Sequence, residues 1–321
     1  MPRHEPIEPA VLPDDVAEAR DRIHEHVRST PIIELSAGEL GLAHPVVLKL
    51  ELLQHAGSFK TRGAFNRVLS AVRDGEIGEA GIIAASGGNH GAAVAYVGQQ
   101  LGIPAEIFVP STSPAIKRER IAGYGAKVNV VDGYYDDAQL AAIERQQASG
   151  ALAIHPFEHP SIIAGQGTMA IELDDQVGDY DTLLVAVGGG GFIAGQAAWI
   201  GKRRRLVSVE PSTSRCLYEA RLGGAPVQVS VSGIAADSLG TNQIGSVAWS
   251  IVHHFVDDSV LVEDDSIRAA QRSLWNELRL VAEPGGAAAL AALQSGAYVP
   301  EKGERVVVAV CGSNCDPATV M

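Results

Sequence analysis

Cysteine is scarce in this sequence, and what there is does not pair. The 321 residues hold three, Cys216, Cys311 and Cys315, an odd number without framework spacing. That excludes a disulfide-stapled scaffold and makes a reducing cytoplasm the simplest expected home. Cys311 and Cys315 have no second Cys or His pair nearby to complete a zinc site. Long apolar runs are missing as well: none approaches the ~18 residues of a membrane-crossing helix. Residues 1–10 carry charges and three prolines, unlike a secretory leader. Basic charge is short, with 25 Lys and Arg against 38 Asp and Glu, a formal net charge of −13. Nucleic acid and anionic membranes would be repelled, whereas a small anion held by local amides and dipoles would not. Internal repeats and low-complexity linkers are absent too.

What is there is a globular composition, 46% hydrophobic and 20% charged, on a chain long enough for two ordinary domains. Residues 14–27 have the spacing of an amphipathic helix with acidic residues in its first turn. Nine short apolar runs then follow, at 46–50, 82–85, 105–109, 127–131, 152–154, 183–187, 206–209, 260–262 and 306–310. Helical stretches such as 91–101, 114–122, 138–148 and 162–174 separate most of them. This alternation predicts an α/β fold of mostly parallel sheets flanked by helices. Residues 78–154 are expected to form a small domain inserted between 1–77 and 155–321.

In such folds chemistry sits in the loops after the carboxyl ends of strands, and four of these loops are unusual. Lys60, in Gly57-Ser58-Phe59-Lys60-Thr61-Arg62-Gly63, falls at a strand-to-helix junction. The positive end of a helix dipole favours its neutral amine, the form a Schiff-base lysine needs; the plain alternative is a solvated surface lysine. Ser86-Gly87-Gly88-Asn89-His90-Gly91 opens a helix and offers amides suited to a carboxylate, or is simply a tight turn. Gly188-Gly189-Gly190-Gly191 is costly in chain entropy, and close approach of a phosphate is its best explanation. Its rival is a shortened dinucleotide fingerprint, Gly189-x-Gly191-x-x-Ala194, with Glu210 as the ribose-binding acid. Cys311, in Cys311-Gly312-Ser313-Asn314, is a nucleophile, a weak hydrogen-bond partner or buried filler. Glu283-Pro284-Gly285-Gly286 reads as a helix start.

Together these stretches, with Lys49-Leu50-Glu51, Ala164-Gly165-Gln166-Gly167-Thr168, and Val281-Ala282 leading into Glu283-Pro284, run in the order seen in one family. The chain resembles the pyridoxal-phosphate (PLP) enzymes of fold type II, the tryptophan synthase β-like fold, and within them the serine/threonine dehydratase and serine racemase group. The resemblance implies that Lys60 holds PLP as a Schiff base and acts as general base, and that Phe59 lines the cofactor ring. It implies that Asn89 bonds the ring hydroxyl, and that Gly188, Gly189, Gly190, Gly191 and the amide of Phe192 hold the phosphate. Cys311 would face the pyridine nitrogen, where a thiol, unlike a carboxylate, does not stabilise a pyridinium. Ser86, Gly87, Asn89 and His90 would receive the substrate.

The implied reaction is β-elimination of water from L-threonine or L-serine to give a 2-oxo acid and ammonia. Relatives that racemise serine carry a second serine where this chain has Gly87, so dehydration is expected over racemisation. A hydroxyaspartate dehydratase and a β-replacement synthase compete with it inside the family. Of a different class stand a nicotinamide-dependent oxidoreductase using Gly189–Ala194 and, on the same fold, a catalytically silent amino-acid sensor. Val209-Glu210-Pro211 matches a cation-binding segment of the family, which leaves a monovalent or divalent cation at Glu210 open; Cys216, where divalent-binding relatives have Asp, speaks against the divalent one. A homodimer is implied. The chain ends soon after Asn314, so feedback through a further C-terminal domain is not expected.

Overall fold

The nine apolar runs all fall on strands in the computed structural model, which describes residues 8–320. A tenth strand, β1 (Ile32–Leu35), is not legible in the sequence: it is short, half-exposed, and buries only Leu35. It is the antiparallel edge of a six-stranded sheet in which it pairs with β2 (Val46–Lys49). From there the order runs through β10 (Val306–Ala309), β7 (Thr182–Ala186), β8 (Arg205–Pro211) and β9 (Asp258–Val262), all parallel. A second sheet, wholly parallel, has the order β5 (Lys127–Val131), β4 (Ala105–Pro110), β3 (Ile82–Ala85), β6 (Leu152–Ala153). Fully covered parallel strands read as continuous β-branched runs, which is why β10, Val-Val-Val-Ala and buried throughout, is easy to see.

The helices are α1 (Pro13–Ile23), α2 (Lys60–Arg73), α3 (Asn89–Leu101), α4 (Ala115–Gly123), α5 (Tyr135–Ser149) and α6 (Pro160–Gln176), followed by α7 (Gly191–Ile200), α8 (Cys216–Gly223), α9 (Ala236–Leu239), α10 (Ser246–Phe255), α11 (Asp264–Leu278) and α12 (Pro284–Gln294). Helix α1 stops four residues before the expected end, releasing the chain into a turn closed by Val27 N–H on Ile23 O (3.2 Å). Among the described residues no helix is long and apolar enough to cross a membrane.

Period-two alternation gives the smaller sheet two different faces. Ile82, Ala84, Ile107 and Val109 join a core with Ala64, Phe65 and Val68 of α2, while Ile83 and Phe108 pack with Ala138 and Ala142 of α5. Helix α2 also lies along α6, so it is wedged between the smaller sheet and the larger sheet's helices, with Lys60 at its first turn. Behind Lys60 lies a largely buried charged cluster, in which only Glu172 keeps some exposure. Arg62, Lys49 and Glu51 are each 0% exposed. Arg62 forks onto Glu51 (2.7 and 2.8 Å) and reaches Glu172 of α6 (2.6 Å), which Lys49 also binds (2.7 Å). Two cations and two carboxylates share their hydrogen bonds, the condition under which buried charge is tolerable.

Candidate active site

Strands β2, β10 and β7 are neighbours in one parallel sheet, so the loops that follow them emerge side by side. They carry Ser58–Lys60, Cys311–Asn314 and Gly188–Gly191 respectively. The first two are knitted together by the Ser58–Gly312 bridge, Phe59 N–H on Cys311 O (3.2 Å) and Ser313 N–H on Gly57 O (2.9 Å). The fourth loop, Ser86–Gly91, comes from β3 of the other sheet and meets them across the gap.

Lys60 Nζ donates to Pro156 O (2.9 Å) and lies 5.2 Å from the Phe59 ring centre. Burial lowers its pKa to about 8, against the smaller opposing pull of Cys311 and Glu283. The Phe59 ring stacks on Phe192 at 4.0 Å between centres. Cys311 is buried and its thiol donates to Gly285 O (3.4 Å). Burial, reinforced by Glu283, raises its pKa and keeps it protonated. Ser58 Oγ is buried with no hydrogen-bond partner among the described residues.

The four glycines are explained differently from the sequence expectation. A Cβ on Gly189 would fall 2.5 Å from the Phe157 ring, one on Gly190 2.2 Å from Ile244, one on Gly191 2.8 Å from Phe157, and one on Gly188 3.1 Å from the Leu239 backbone. Protein, rather than ligand, therefore fills the space those side chains would need, and Gly190 also requires the left-handed backbone (φ +87°). The opposite side of the loop is left for binding. The first bond of α7 is Ala194 N–H to Gly190 O (2.9 Å), so the amides of Gly191, Phe192 and Ile193 lie outside the helix's own ladder at its positive end.

Asn89 is the first residue of α3. Its amide nitrogen contacts Glu283 Oε1, and its oxygen accepts from Asn314 Nδ2 (2.5 Å). Asn314 in turn binds Arg120 of α4, so a chain of polar contacts runs Arg120–Asn314–Asn89–Glu283 across both sheets' loops. Glu283 is the residue before α12, its side chain making no cap bond; it is buried, and burial raises its carboxyl pKa to about 7. Ser86 Oγ accepts from Gly88 N–H (3.2 Å). The His90 ring turns inward, Nε2 2.7 Å from Ile154 O, and burial followed by Lys60 lowers its pKa to about 3. A neutral, inward ring leaves the loop His90's backbone N–H. Glu283, Arg120, Asn314 and Phe157 do not stand out in the sequence as site residues; for Glu283 the available signal is an acid at a Pro-Gly helix start.

Glu210, at the end of β8, is turned toward α8. Its two oxygens accept from Leu217 N–H (2.9 Å) and Tyr218 N–H (2.7 Å) of α8, and burial raises its pKa to about 7. Cys216 Sγ donates to Gly188 O (3.3 Å). Among the described residues no three His, Cys, Asp or Glu cluster as a metal site.

Comparison with known proteins decides between the classes. A family model described as pyridoxal-phosphate dependent enzyme matches residues 23–312. The chain belongs to the pyridoxal-phosphate dependent enzyme family. It is 36% identical over 299 residues to a biosynthetic L-threonine dehydratase of Pasteurella multocida, covering 91% of this chain and 58% of that one. The chain thus spans under two thirds of the length of that relative. It is 33% identical to a serine racemase of Schizosaccharomyces pombe, with 95% of each chain covered. The structure of maize serine racemase superposes with a TM-score of 0.90 at 32% identity, covering 97% of this chain and 96% of that one. The nicotinamide reading falls with the family, and the geometry agrees: Glu210, its supposed ribose acid, is committed to α8.

The residues of this pyridoxal-phosphate dependent enzyme fit the group the family uses. The unladdered amides of α7 suit a phosphate, the half-buried Lys60 with its lowered pKa suits a carbonyl carbon, and the protonated Cys311 thiol suits an uncharged ring nitrogen.

Proposed function

We propose that the protein is a dehydratase that removes water from a small β-hydroxy amino acid, L-threonine or L-serine, giving a 2-oxo acid and ammonia. The observation that carries this reading is the pairing of Lys60, an amine brought to about pKa 8, with Cys311, a thiol held neutral by burial. Lys60 would hold PLP, with the amides of Gly188–Gly191 and Phe192 for its phosphate, Asn89 for its ring hydroxyl, Cys311 for its ring nitrogen and Phe59 for its face. When bound, PLP supplies an electron sink for negative charge at the substrate's Cα. The amides and hydroxyl of Ser86, Gly87, Asn89 and His90 hold the substrate carboxylate, which orients the Cα–H bond toward Lys60. Lys60 Nζ takes that proton. The Cβ–O bond breaks as the Cα–Cβ double bond forms, the hydroxyl leaves as water with the proton that Lys60 has taken, and the released enamine takes up water to give 2-oxo acid and ammonia. A neutral thiol at the ring nitrogen keeps charge at Cα short-lived, which favours loss of the β-hydroxyl over slower outcomes.

Racemisation is the second reading, and one observation favours it: the match to a serine racemase spans 95% of each chain. We carry the homodimer, the cytoplasmic location, a monovalent ion at Glu210, and 78–154 as a small domain within the same proposal. The test is the visible spectrum of purified protein before and after borohydride, beside Lys60→Ala. A yellow protein bleached by borohydride, with a Lys60→Ala variant that forms no such adduct and loses at least ~10³-fold in rate, is the expected result. Threonine and serine are then offered, 2-oxo acid is followed, and the leftover serine is resolved by chirality. Accumulating D-serine would overturn the dehydratase assignment in favour of the second reading.

A further inference from the structure

Gly87 has no side chain, yet the space its side chain would occupy is filled by a hydroxyl. A Cβ built on Gly87 falls 2.1 Å from Ser113 Oγ and 2.9 Å from Ser113 Cβ; the next atom, Pro110 Cδ, is 3.8 Å away. Ser113 belongs to the connection from β4 to α4, whose turn is closed by Ser113 N–H on Pro110 O (2.9 Å). Its hydroxyl makes no hydrogen bond among the described residues. It is partly exposed, and it lies against the loop whose helix, α3, starts its own ladder only with Ala92 N–H on Gly88 O (3.1 Å). A free donor thus sits against Gly87, in the loop that leads into the unladdered amides of Asn89, His90 and Gly91 at the positive end of a thirteen-residue helix. Nothing basic is bonded to it that would lower its pKa or return a proton, so its chemistry is that of a hydrogen-bond donor rather than an acid.

We propose that Ser113 is a substrate-binding residue: its hydroxyl enters the Ser86–Gly91 loop through the gap left at Gly87 and donates to the α-carboxylate of the amino-acid substrate. The glycine and the serine are then two halves of one device, a loop short of a side chain and a neighbouring element that lends one. This inference rests on the reading of that loop as the carboxylate site.

The test moves the hydroxyl between the two positions in the holoenzyme. Ser113→Ala is expected to raise KM for serine and threonine about tenfold, the worth of one hydrogen bond to a charged group, with kcat changed less than twofold. It should weaken binding of glycine, measured by calorimetry, to the same degree, while cofactor content and spectrum stay as in the parent. Gly87→Ser alone has no room and is expected to perform poorly. Gly87→Ser with Ser113→Gly restores KM and glycine affinity, whereas Gly87→Ala with Ser113→Gly fills the same space without a hydroxyl and does not. If Ser113→Ala and the Gly87→Ala/Ser113→Gly pair bind glycine as the parent does, Ser113 is only filler and the inference fails. If the parent itself neither binds glycine nor turns over a β-hydroxy amino acid, the carboxylate reading of the loop fails first.

Discussion

The two glycine-rich loops look alike in sequence and are built on opposite terms. At Gly188–Gly191 the four Cβ positions are closed by Leu239, Phe157 and Ile244, from two separate parts of the chain. In Ser86–Gly91, Gly88 has nothing nearer than 3.8 Å, Gly87 meets the Ser113 side chain, and Gly91 meets the carbonyl of Ser86 in its own loop. One loop is clamped by packing; the other is held by polar contacts reaching in from elsewhere. A group that stays for the life of the enzyme suits the first. A substrate that comes and goes with every turnover suits the second.

The contrast breaks first at Gly190. Gly190→Ala introduces a Cβ 2.2 Å from Ile244 at φ +87°, and is expected to cost about 3 kcal/mol and most of the bound cofactor, read by urea unfolding and by absorbance per protomer. Glu283, the outside support of Asn89, gives the next largest effect. Its folded pKa of about 7 lies above its usual value, so between pH 4.5 and 7 the folded chain keeps a proton that the unfolded chain releases. Stability is full below the unfolded value and falls as pH rises, by something on the order of 2–3 kcal/mol. Glu283→Gln should remove that part of the slope in unfolding curves at pH 5 and pH 8; an unchanged slope would show that Glu283 does not hold the proton. Smaller again is the effect of Lys60's lowered pKa of about 8. PLP capture by the stripped protein should quicken roughly tenfold from pH 7 to 9 and level off there, where an ordinary lysine would gain about a hundredfold and keep rising. Last is Gly88→Ala, which has space around it and should alter stability by less than about 0.5 kcal/mol; a loss like that at Gly190 would erase the distinction between the loops.

Which of this is legible in the sequence follows from where each contact lies along the chain. Covered parallel strands announce themselves as Val and Ile runs, so the position of Lys60, Asn89, Gly188 and Cys311 after strand ends can be read directly. β1 cannot, because an edge strand that buries only Leu35 carries no such run. The supporting shell is hidden for a different reason. Asn89 meets Glu283 and Arg120 meets Asn314, each 194 residues apart, and nothing local at either end marks the partner. The tetraglycine is conspicuous in the sequence but its cause is not: composition shows that side chains are absent, while only the fold shows that Phe157 and Ile244 stand where they would be.

The quartet of Lys49, Glu51, Arg62 and Glu172 bears on transplantation. Moving the Gly57–Gly63 segment onto another scaffold would carry Arg62 without its two acids, a buried guanidinium with no counter-ion. The portable unit is therefore spread over three elements: the end of β2, the first turn of α2, and the face of α6 that supplies Glu172. A recipient lacking any one of them would receive the reactive lysine on a helix unable to stay folded beneath it.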